Sequence, residues 1–201
     1  MSASRREFLR RFAFALLGCA GALKAIAVVR EGPRGVFSPQ LEARGLIRPP
    51  GSLAEPEFLS ACIRCQCCAH ECEAGAIRLF GPGTGALEGT PYLVPEAAGC
   101  TLCLRCGPAC PTGAILPLAG KRAADMGDAV VDPDLCVAIN GTGICGACYT
   151  ICPLKGKAIT QGQHHRPTVH PEACVGCGLC EEVCIVDRDR AIRVFSTRRW
   201  S

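Results

Sequence analysis

One stretch of the sequence decides how the rest is interpreted: Cys100-Thr-Leu-Cys103-Leu-Arg-Cys106-Gly-Pro-Ala-Cys110-Pro111. Its cysteines follow the pattern C-x2-C-x2-C-x3-C-P. This is the spacing with which thiolates hold [4Fe–4S] clusters, and the fourth cysteine usually serves a second cluster. The stretch therefore predicts bound iron–sulfur clusters and a role in electron transfer.

The same kind of cysteine run occurs four times. The chain contains 18 cysteines, and 16 of them fall into four runs of four, three of which share the same internal spacing. Run one is Cys62, Cys65, Cys68 and Cys72; run two is Cys100, Cys103, Cys106 and Cys110; run three is Cys136, Cys145, Cys148 and Cys152; run four is Cys174, Cys177, Cys180 and Cys184. Because each cubane needs four thiolates, these residues are predicted to bind four [4Fe–4S] clusters.

Two other uses of cysteine compete with cluster binding. Disulfide frameworks are common in small cysteine-dense chains, but they show irregular spacings. Structural zinc sites use paired C-x2-C knuckles separated by a longer loop. Four cysteines within eleven residues, as in run two, do not fit separate tetrahedral zinc sites. The pattern therefore favours clusters.

The fourth cysteine of a run points away from the first three. C-x2-C-x2-C presents three thiolates from one tight loop, and the fourth follows about one helical turn later. It then reaches the cluster of a partner run. In one arrangement, runs one and two exchange their fourth cysteines, and so do runs three and four. In the other, runs two and three make the exchange, and runs one and four close around them. The shortest gap, 21 residues between Cys152 and Cys174, favours adjacent pairing.

The segments between runs have the pattern of β-hairpins. Each run is followed by an apolar pair: Ala76-Ile77, Ala114-Ile115, Ala158-Ile159 and Ala191-Ile192. A second apolar stretch and a proline–acid turn precede the next run. These features predict a hairpin between each successive pair of runs. The predicted fold class is α+β, built from tandem bacterial ferredoxin-like repeats with short β-hairpins and short helices.

Run three departs from the common spacing. Eight residues, Val137 to Ile144, separate its first two cysteines. Asn140-Gly141 and Gly143 favour a looped-out insertion that leaves the ligand count intact. Such a loop changes the solvent access of a cluster or docks a partner.

The remaining chemistry-bearing residues predict no catalytic site. Cys67, next to Cys68, is interpreted as a buried or half-buried spare thiol. His164 and His165 are expected to be solvated, and His70 to pack or hydrogen-bond within run one. No nucleophile–base pattern, phosphate loop or dinucleotide motif occurs, so no catalytic residue is predicted.

The first 27 residues have the pattern of an export signal. Ser4-Arg5-Arg6-Glu7-Phe8-Leu9-Arg10 is followed by an apolar stretch from Phe12 to Leu23 and by Ala25-Ile26-Ala27, an A-x-A cleavage pattern. The paired arginines resemble the twin-arginine signal, which serves folded proteins and so suits clusters inserted before export. We expect a periplasmic protein and the twin-arginine translocation machinery as a partner. The signal is either removed or retained as an inner-membrane anchor.

Residues 28–55 are rich in proline and glycine and predict an extended linker on the surface. Pro56 suits the first turn of a short helix, Glu57 to Ala61, that delivers Cys62. Residues 56–201 are then the four-cluster domain.

Charge gives no support for nucleic-acid binding. The formal net charge is +4. Residues 1–27 account for all of it, because the rest of the chain has 17 basic and 17 acidic side chains. A nucleic-acid-binding domain would instead carry a basic patch or stripe.

The combination of these features resembles one group of ferredoxin-type proteins, the NapG/MauM group. A twin-arginine leader is followed by Arg48-Pro-Pro-Gly-Ser-Leu-Ala-Glu-Pro-Glu-Phe-Leu-Ser-Ala-Cys62-Ile-Arg-Cys65 and by four runs, the third with the eight-residue gap. Glu73 stands where a proline is more usual after run one. The resemblance spans essentially the whole chain. It implies four [4Fe–4S] clusters on the periplasmic side of the membrane.

The resemblance also implies a function. In NapG-like members, electrons pass from a membrane-bound quinol-oxidising iron–sulfur partner to a periplasmic terminal reductase such as nitrate reductase, or to its electron-accepting subunit. MauM-like members belong to methylamine utilisation. We therefore expect an electron-transfer protein without its own catalytic site. The alternatives are an iron–sulfur subunit of another multi-component oxidoreductase and a redox-silent structural metal protein.

Overall fold

The computed structural model describes residues 44–187, 189–196 and 198, so the predicted export signal and residues 28–43 of the predicted linker lie outside the described residues. Short helices and short strands alternate within these ranges, as an α+β fold requires. The helices are α1 (Glu55–Ala61), α2 (Cys67–His70), α3 (Ala147–Ile151) and α4 (Leu179–Glu182). The strands are β1 (Ile77–Leu79), β2 (Pro91–Leu93), β3 (Asp128–Val131), β4 (Ile159–Gln161), β5 (Pro167–Val169) and β6 (Ile192–Phe195). Within this part of the chain, no helix has the length and apolar character that a membrane crossing needs.

Two of the three predicted hairpins are confirmed. β1 pairs with β2 in antiparallel register, with Ile77 opposite Leu93. β4 pairs with β5 in the same way, with Ile159 opposite Val169. The pairing buries the apolar residues that follow the cysteine runs, since Ala158 and Ile159 are each only 2 % exposed. Burial of these small apolar pairs is the main stabilising contribution of the short strands.

The hairpin predicted between runs two and three is wrong. β3 pairs with β6 instead, with Val131 opposite Ile192. Ile115, which was expected to start that hairpin, forms an antiparallel bridge with Ser52. Local pattern cannot choose between these partners, because each segment supplies only a short apolar stretch that pairs equally well with several others.

The Ser52–Ile115 bridge and the β3–β6 pair occupy equivalent positions relative to the cysteine runs that they enclose. Next to the Ser52–Ile115 bridge, Leu53 N–H donates to Ala114 C=O at 3.1 Å. Next to the β3–β6 pair, Asp132 N–H donates to Ala191 C=O at 2.8 Å. Each long-range pair thus closes around two cysteine runs and the hairpin between them. The first such part spans residues 52–115 and the second residues 128–195; we call them the first and second halves.

Helix α1 positions the first cysteine of run one. It begins at Glu55, two residues before the predicted start, with Pro56 in its first turn. Proline is tolerated there because the first N–H groups of a helix have no intrahelical partner. Phe58 is fully buried, and Cys62 N–H donates to Phe58 C=O at 2.8 Å. The helix therefore delivers Cys62, as the sequence predicts.

The described end of the predicted surface linker is buried, which corrects that prediction. Leu46, Ile47 and Arg48 are 1 %, 4 % and 1 % exposed. Extended chain can lie inside a protein only if its polar groups find partners. Here Leu93 N–H donates to Ile47 C=O at 2.9 Å, so the segment is held against β2.

Arg48 is the most unusual residue of this segment, because a fully buried guanidinium needs several partners. Its Nε donates to Glu55 at 3.1 Å, and a second bond from Nη2 completes the ion pair. Its Nη1 donates to Thr90 Oγ1 at 2.9 Å and to Pro91 C=O at 2.6 Å. The guanidinium also lies 4.4 Å from the ring centroid of Phe58. Arg48 thereby joins the entering chain, α1 and β2.

Cysteines form part of the hydrophobic core. The largest buried cluster includes Cys100, Cys152 and Cys180 beside aliphatic residues such as Met126 and Val194. A second cluster combines Phe58 and Ile115 with Cys68 and Cys106. Because aromatic residues are only 5 % of the chain, the thiols supply much of the interior that larger side chains would otherwise fill.

Candidate iron–sulfur sites

The predicted ligands of run one meet the last cysteine of run two. Cys62, Cys65, Cys68 and Cys110 line one cavity. Phe58 and Ile115 complete its apolar wall. We call this group site A.

The second half contains two groups of the same kind. Cys152 of run three joins Cys174, Cys177 and Cys180 of run four around one cavity; this is site C. Cys184 of run four joins Cys136, Cys145 and Cys148 of run three around another; this is site D. In both cases the fourth cysteine crosses to the neighbouring run.

The remaining predicted ligands, Cys72, Cys100, Cys103 and Cys106, form site B. Burial raises the pKa of Cys100, and repulsion from Cys72 and Cys103 raises it further. Burial also raises the pKa of Cys106 to about 12, with added repulsion from Cys100 and Cys103. Cys72 packs against the buried cluster that contains Cys100, so its thiol lies near the first cysteine of run two. The structure groups the runs by adjacent pairing, one with two and three with four, and not as an inner pair enclosed by runs one and four.

The cysteine loops contain residues in the left-handed region at two repeated positions. These are the second and fourth residues after the first cysteine of a run. The φ values are 60° and 66° for Arg64 and Gln66, 57° and 62° for Leu102 and Leu104, and 66° and 79° for Gly176 and Gly178. Run three differs, because Gly146, directly after its second cysteine, has a φ of −143°.

Left-handed residues at these positions have a structural reason. Non-glycine residues rarely adopt positive φ, and they keep it only where the surroundings impose it. Alternation of such residues turns successive N–H groups to one side, which is the backbone concavity that surrounds many iron–sulfur sites. Arg64, Gln66, Leu102 and Leu104 could not be identified from the sequence, since nothing in those side chains indicates positive φ.

Cys110 differs from the ligands whose pKa is raised, because the pKa of its thiol is lowered. Burial raises the pKa of this thiol, but N–H groups of Ile115, Thr112 and Ala114 and the Thr112 hydroxyl outweigh that effect and lower it. Thr112 Oγ1 lies 3.7 Å from the sulfur. Hydrogen bonds to the charged form stabilise a thiolate. The crossing ligand of site A is therefore the thiol best prepared to bind iron as a thiolate.

Other cysteines of sites A, C and D also fit a cationic iron–sulfur group by the chemistry of their donors. Burial raises the pKa of Cys68 and Cys148 to about 11 and that of Cys177 to about 12. It raises the pKa of Cys180 well above the usual range. A buried thiolate is poorly solvated, and coordination to iron replaces the lost solvation. Sets of four such thiols around apolar cavities suit cubane clusters.

The arrangement of the thiols also bears on whether they would hold a single metal ion or a cluster. Among residues 44–187, 189–196 and 198, no three His, Cys, Asp or Glu side chains are arranged to hold a single metal ion. At sites A, C and D, four thiols instead line one shared, mainly apolar recess.

Two expectations about residues near the runs are wrong. Cys67 is exposed rather than buried or half-buried. His70, at the end of α2, is also exposed rather than packed. Helix α2 turns both side chains outward while Cys68 points into site A. His164 and His165 are exposed, as predicted.

The structure shows the contacts of Glu73 in run one and the conformation of the insertion in run three. Glu73, in place of the usual proline, forms an exposed ion pair with Arg105 of run two. The insertion Val137 to Ile144 is looped out as predicted, with Gly143 N–H donating to Val137 C=O at 3.0 Å. It leaves Ile144 84 % exposed, directly before Cys145 of site D.

Comparisons with known proteins identify relatives of this chain. A family model described as a 4Fe-4S dicluster domain matches residues 143–187, which contain every cysteine of sites C and D except Cys136. A methylamine utilization ferredoxin-type protein MauM from Methylorubrum extorquens is 38 % identical over 206 residues, covering 96 % of this chain and 90 % of that protein. MauM from Methylobacillus flagellatus is 36 % identical, covering 94 % and 81 %.

A second branch of relatives carries a different name. The ferredoxin-type protein NapG from Escherichia coli is 36 % identical over 209 residues, covering 96 % of this chain and 88 % of that protein. Similarity of this extent along nearly the full length of both chains shows common descent. The chain therefore belongs to the NapG/MauM family of ferredoxin-type iron–sulfur electron-transfer proteins.

Proposed function

We propose that this protein carries four [4Fe–4S] clusters and relays electrons one at a time between partners in the periplasm. The donor is a membrane-bound quinol-oxidising iron–sulfur protein. The acceptor is a periplasmic terminal reductase, such as nitrate reductase, or its electron-accepting subunit. The observation that carries the proposal is the gathering of all sixteen run cysteines into sites A, B, C and D.

The chain is then a tandem of two dicluster ferredoxin-like halves. The repeated long-range pairs, Ser52 with Ile115 and β3 with β6, support this division. Each half supplies two loops of three cysteines and exchanges the fourth cysteines between them. A [4Fe–4S] cluster accepts and returns a single electron, at a potential set by cluster type, hydrogen bonds and solvent exposure.

The protein surroundings differ between the halves. Cys65 of site A and Cys103 of site B are exposed, whereas every predicted ligand in runs three and four is buried or half-buried. Solvent exposure and hydrogen bonds to sulfur alter a cluster's potential. The two halves thus supply different environments, which a relay with a preferred direction requires.

The cysteines act as ligands and not as nucleophiles in this proposal. Any catalytic cofactor then belongs to a partner chain. The names of the relatives, all ferredoxin-type proteins, support an electron carrier of this kind.

A redox titration of the anaerobically purified protein tests the cofactor content. We expect iron and sulfide for four cubanes and reducible clusters whose EPR signals appear in successive steps. Reduction of fewer than three cubanes would contradict the proposal. Clusters that take up no electron at any accessible potential would favour a structural metal protein.

Export is tested through the paired arginines. We propose that residues 1–27 are a twin-arginine signal that is either removed or retained at the inner membrane. Changing Arg5 and Arg6 to lysine preserves charge but alters the motif, so we expect the variant to stay in the cytoplasm. Cell fractionation with immunodetection measures this, and the matched control changes Arg10 and Arg11 to lysine. Periplasmic accumulation of the Arg5/Arg6 variant would refute the signal.

A second candidate function follows from the MauM relatives. In it the protein is a stable iron–sulfur subunit of another multi-component oxidoreductase, with a role in methylamine utilisation. Co-purification from native membranes separates the candidates. A catalytic partner in fixed stoichiometry supports the subunit, and transient crosslinks to a quinol-oxidising protein support the relay.

A further inference from the structure

We propose that the four clusters form one unbranched line in the order A, B, C, D, and that Glu182 is a positioning residue that holds site B against site C. This inference rests on the four-cluster function proposed above. It concerns the junction between the two halves, through which an electron entering at either end must pass.

The order inside each half follows from the exchanged cysteines. Cys110 of site A follows Cys106 of site B by four residues, and Cys68 of site A belongs to the same buried cluster as Cys106. In the second half, Cys148 of site D packs against the buried cluster that contains Cys180 of site C. Sites A and B are therefore neighbours, as are sites C and D.

Direct backbone contact joins site B to site C. Cys100 N–H donates to Cys177 C=O at 2.7 Å. The two residues are ligands of different sites in different halves. Cys100 also belongs to the same buried cluster as Cys152 and Cys180 of site C. No protein layer separates the loops at this point, so B and C are the inner members of the line.

Close packing around Gly99 allows this approach. A Cβ atom on Gly99 would lie 2.6 Å from the backbone nitrogen of Leu179, a distance that forces the two loops apart. Gly178, with a φ of 79°, makes a similarly close approach to Pro95. The contact between the halves thus requires glycine at position 99, and at position 178 it adds to the left-handed conformation that already favours glycine in the loop of run four.

Glu182 also connects the two halves at the contact between sites B and C. Its Oε2 accepts a hydrogen bond from Gly99 N–H at 2.8 Å, across 83 positions of sequence. A carboxylate bond to a backbone N–H is stronger than a neutral one. Glu182 lies on α4, next to the loop of site C, and Gly99 directly precedes Cys100 of site B. Removal of the carboxylate leaves the Gly99 N–H without this partner and loosens B from C.

The order is tested in the full chain carrying Cys110→Ser and Cys184→Ser, which retains the complete ligand sets of only sites B and C. We expect two reducible cubanes whose EPR signals, when both are reduced, show mutual spin–spin interaction. Two cubanes without interaction would overturn the line. Fewer than three reducible cubanes in the unmodified chain would instead contradict the proposed function, so the two failures are distinguishable.

The role of Glu182 is tested by variants in both the unmodified chain and this two-cluster chain. Glu182→Ala and Gly99→Ala are expected to keep their clusters but lose much of the B–C interaction. Glu182→Gln, which retains an acceptor oxygen, is expected to restore it.

Glu172→Ala removes an exposed carboxylate near site C that makes no contact with Gly99 and serves as the matched control. Equal interaction in Glu182→Ala and Glu172→Ala would overturn the positioning role, and so would failure of Glu182→Gln to exceed Glu182→Ala. If Gly99→Ala does not fold, the Glu182 series decides by itself.

Discussion

Replacing Cys110 with serine is expected to remove the cluster of site A and to leave that of site B, although Cys110 belongs to run two. The sulfur of Cys110 lines the same cavity as Cys62, Cys65 and Cys68. Site B keeps its own four thiols. Iron content should fall from about 16 to about 12 atoms per chain, since each cubane holds four irons. Iron analysis and an EPR redox titration of the anaerobically purified variant measure the loss.

Reciprocal and control variants make the result specific. Cys72→Ser should remove site B and leave site A, because Cys72 crosses in the opposite direction. Cys67→Ser changes an exposed thiol in run one that lines none of the three cavities, and it should leave the iron content unchanged. If Cys110→Ser abolished the signal of site B while that of site A persisted, the adjacent pairing would be wrong.

Replacing Arg48 with alanine is expected to lower the free energy of unfolding by about 3–5 kcal/mol, the usual cost of removing one partner of a buried ion pair. Glu55 is 8 % exposed and would keep a buried carboxylate without its cation. Thr90 and Pro91 would also lose their donor. The effect should appear near site A first, since Phe58 lies between Arg48 and that cavity. Anaerobic denaturant unfolding, followed by cluster absorbance and circular dichroism, measures it.

Two further variants distinguish the contribution of burial to stability from the contribution of charge. Arg105→Ala breaks the exposed pair with Glu73 and should cost no more than about 1 kcal/mol, because solvent screens exposed pairs. Arg48→Lys keeps the charge but not the planar set of donors, so its loss should fall between those of Arg48→Ala and the unchanged chain. Equal losses for Arg48→Ala and Arg105→Ala would show that the buried network contributes little.

The features predictable from sequence are those set by short spacings. Three cysteines of runs one, two and four lie in one loop because two residues separate each from the next, and run three shows that a gap of eight residues is looped out. Pro56 was sufficient to predict α1 to within two residues of its start. The β1–β2 and β4–β5 hairpins also follow local pattern, since both strands lie within one inter-run segment.

Features set by contacts between distant segments were not predictable in the same way. The pairing of β3 with β6 depends on which buried faces meet after the cysteine loops have folded. Ile115, which follows run two, forms a bridge with Ser52 instead. Residues 46–48 look like surface linker by composition, yet they are interior because Arg48 finds Glu55, Thr90 and Pro91 together.

Sixteen thiols in four runs, an α+β ferredoxin-type fold and the lack of a recognisable catalytic motif can all be seen in the amino-acid sequence. Cysteine spacing is local, so it is preserved in the linear pattern. The partner of each fourth cysteine, and the contact of Cys100 with Cys177 across the two halves, are visible only in the folded protein. Those outcomes depend on the direction in which each chain segment leaves its loop and on the packing of Gly99 against Leu179. Both are consequences of three-dimensional close approach, which residue spacing does not encode.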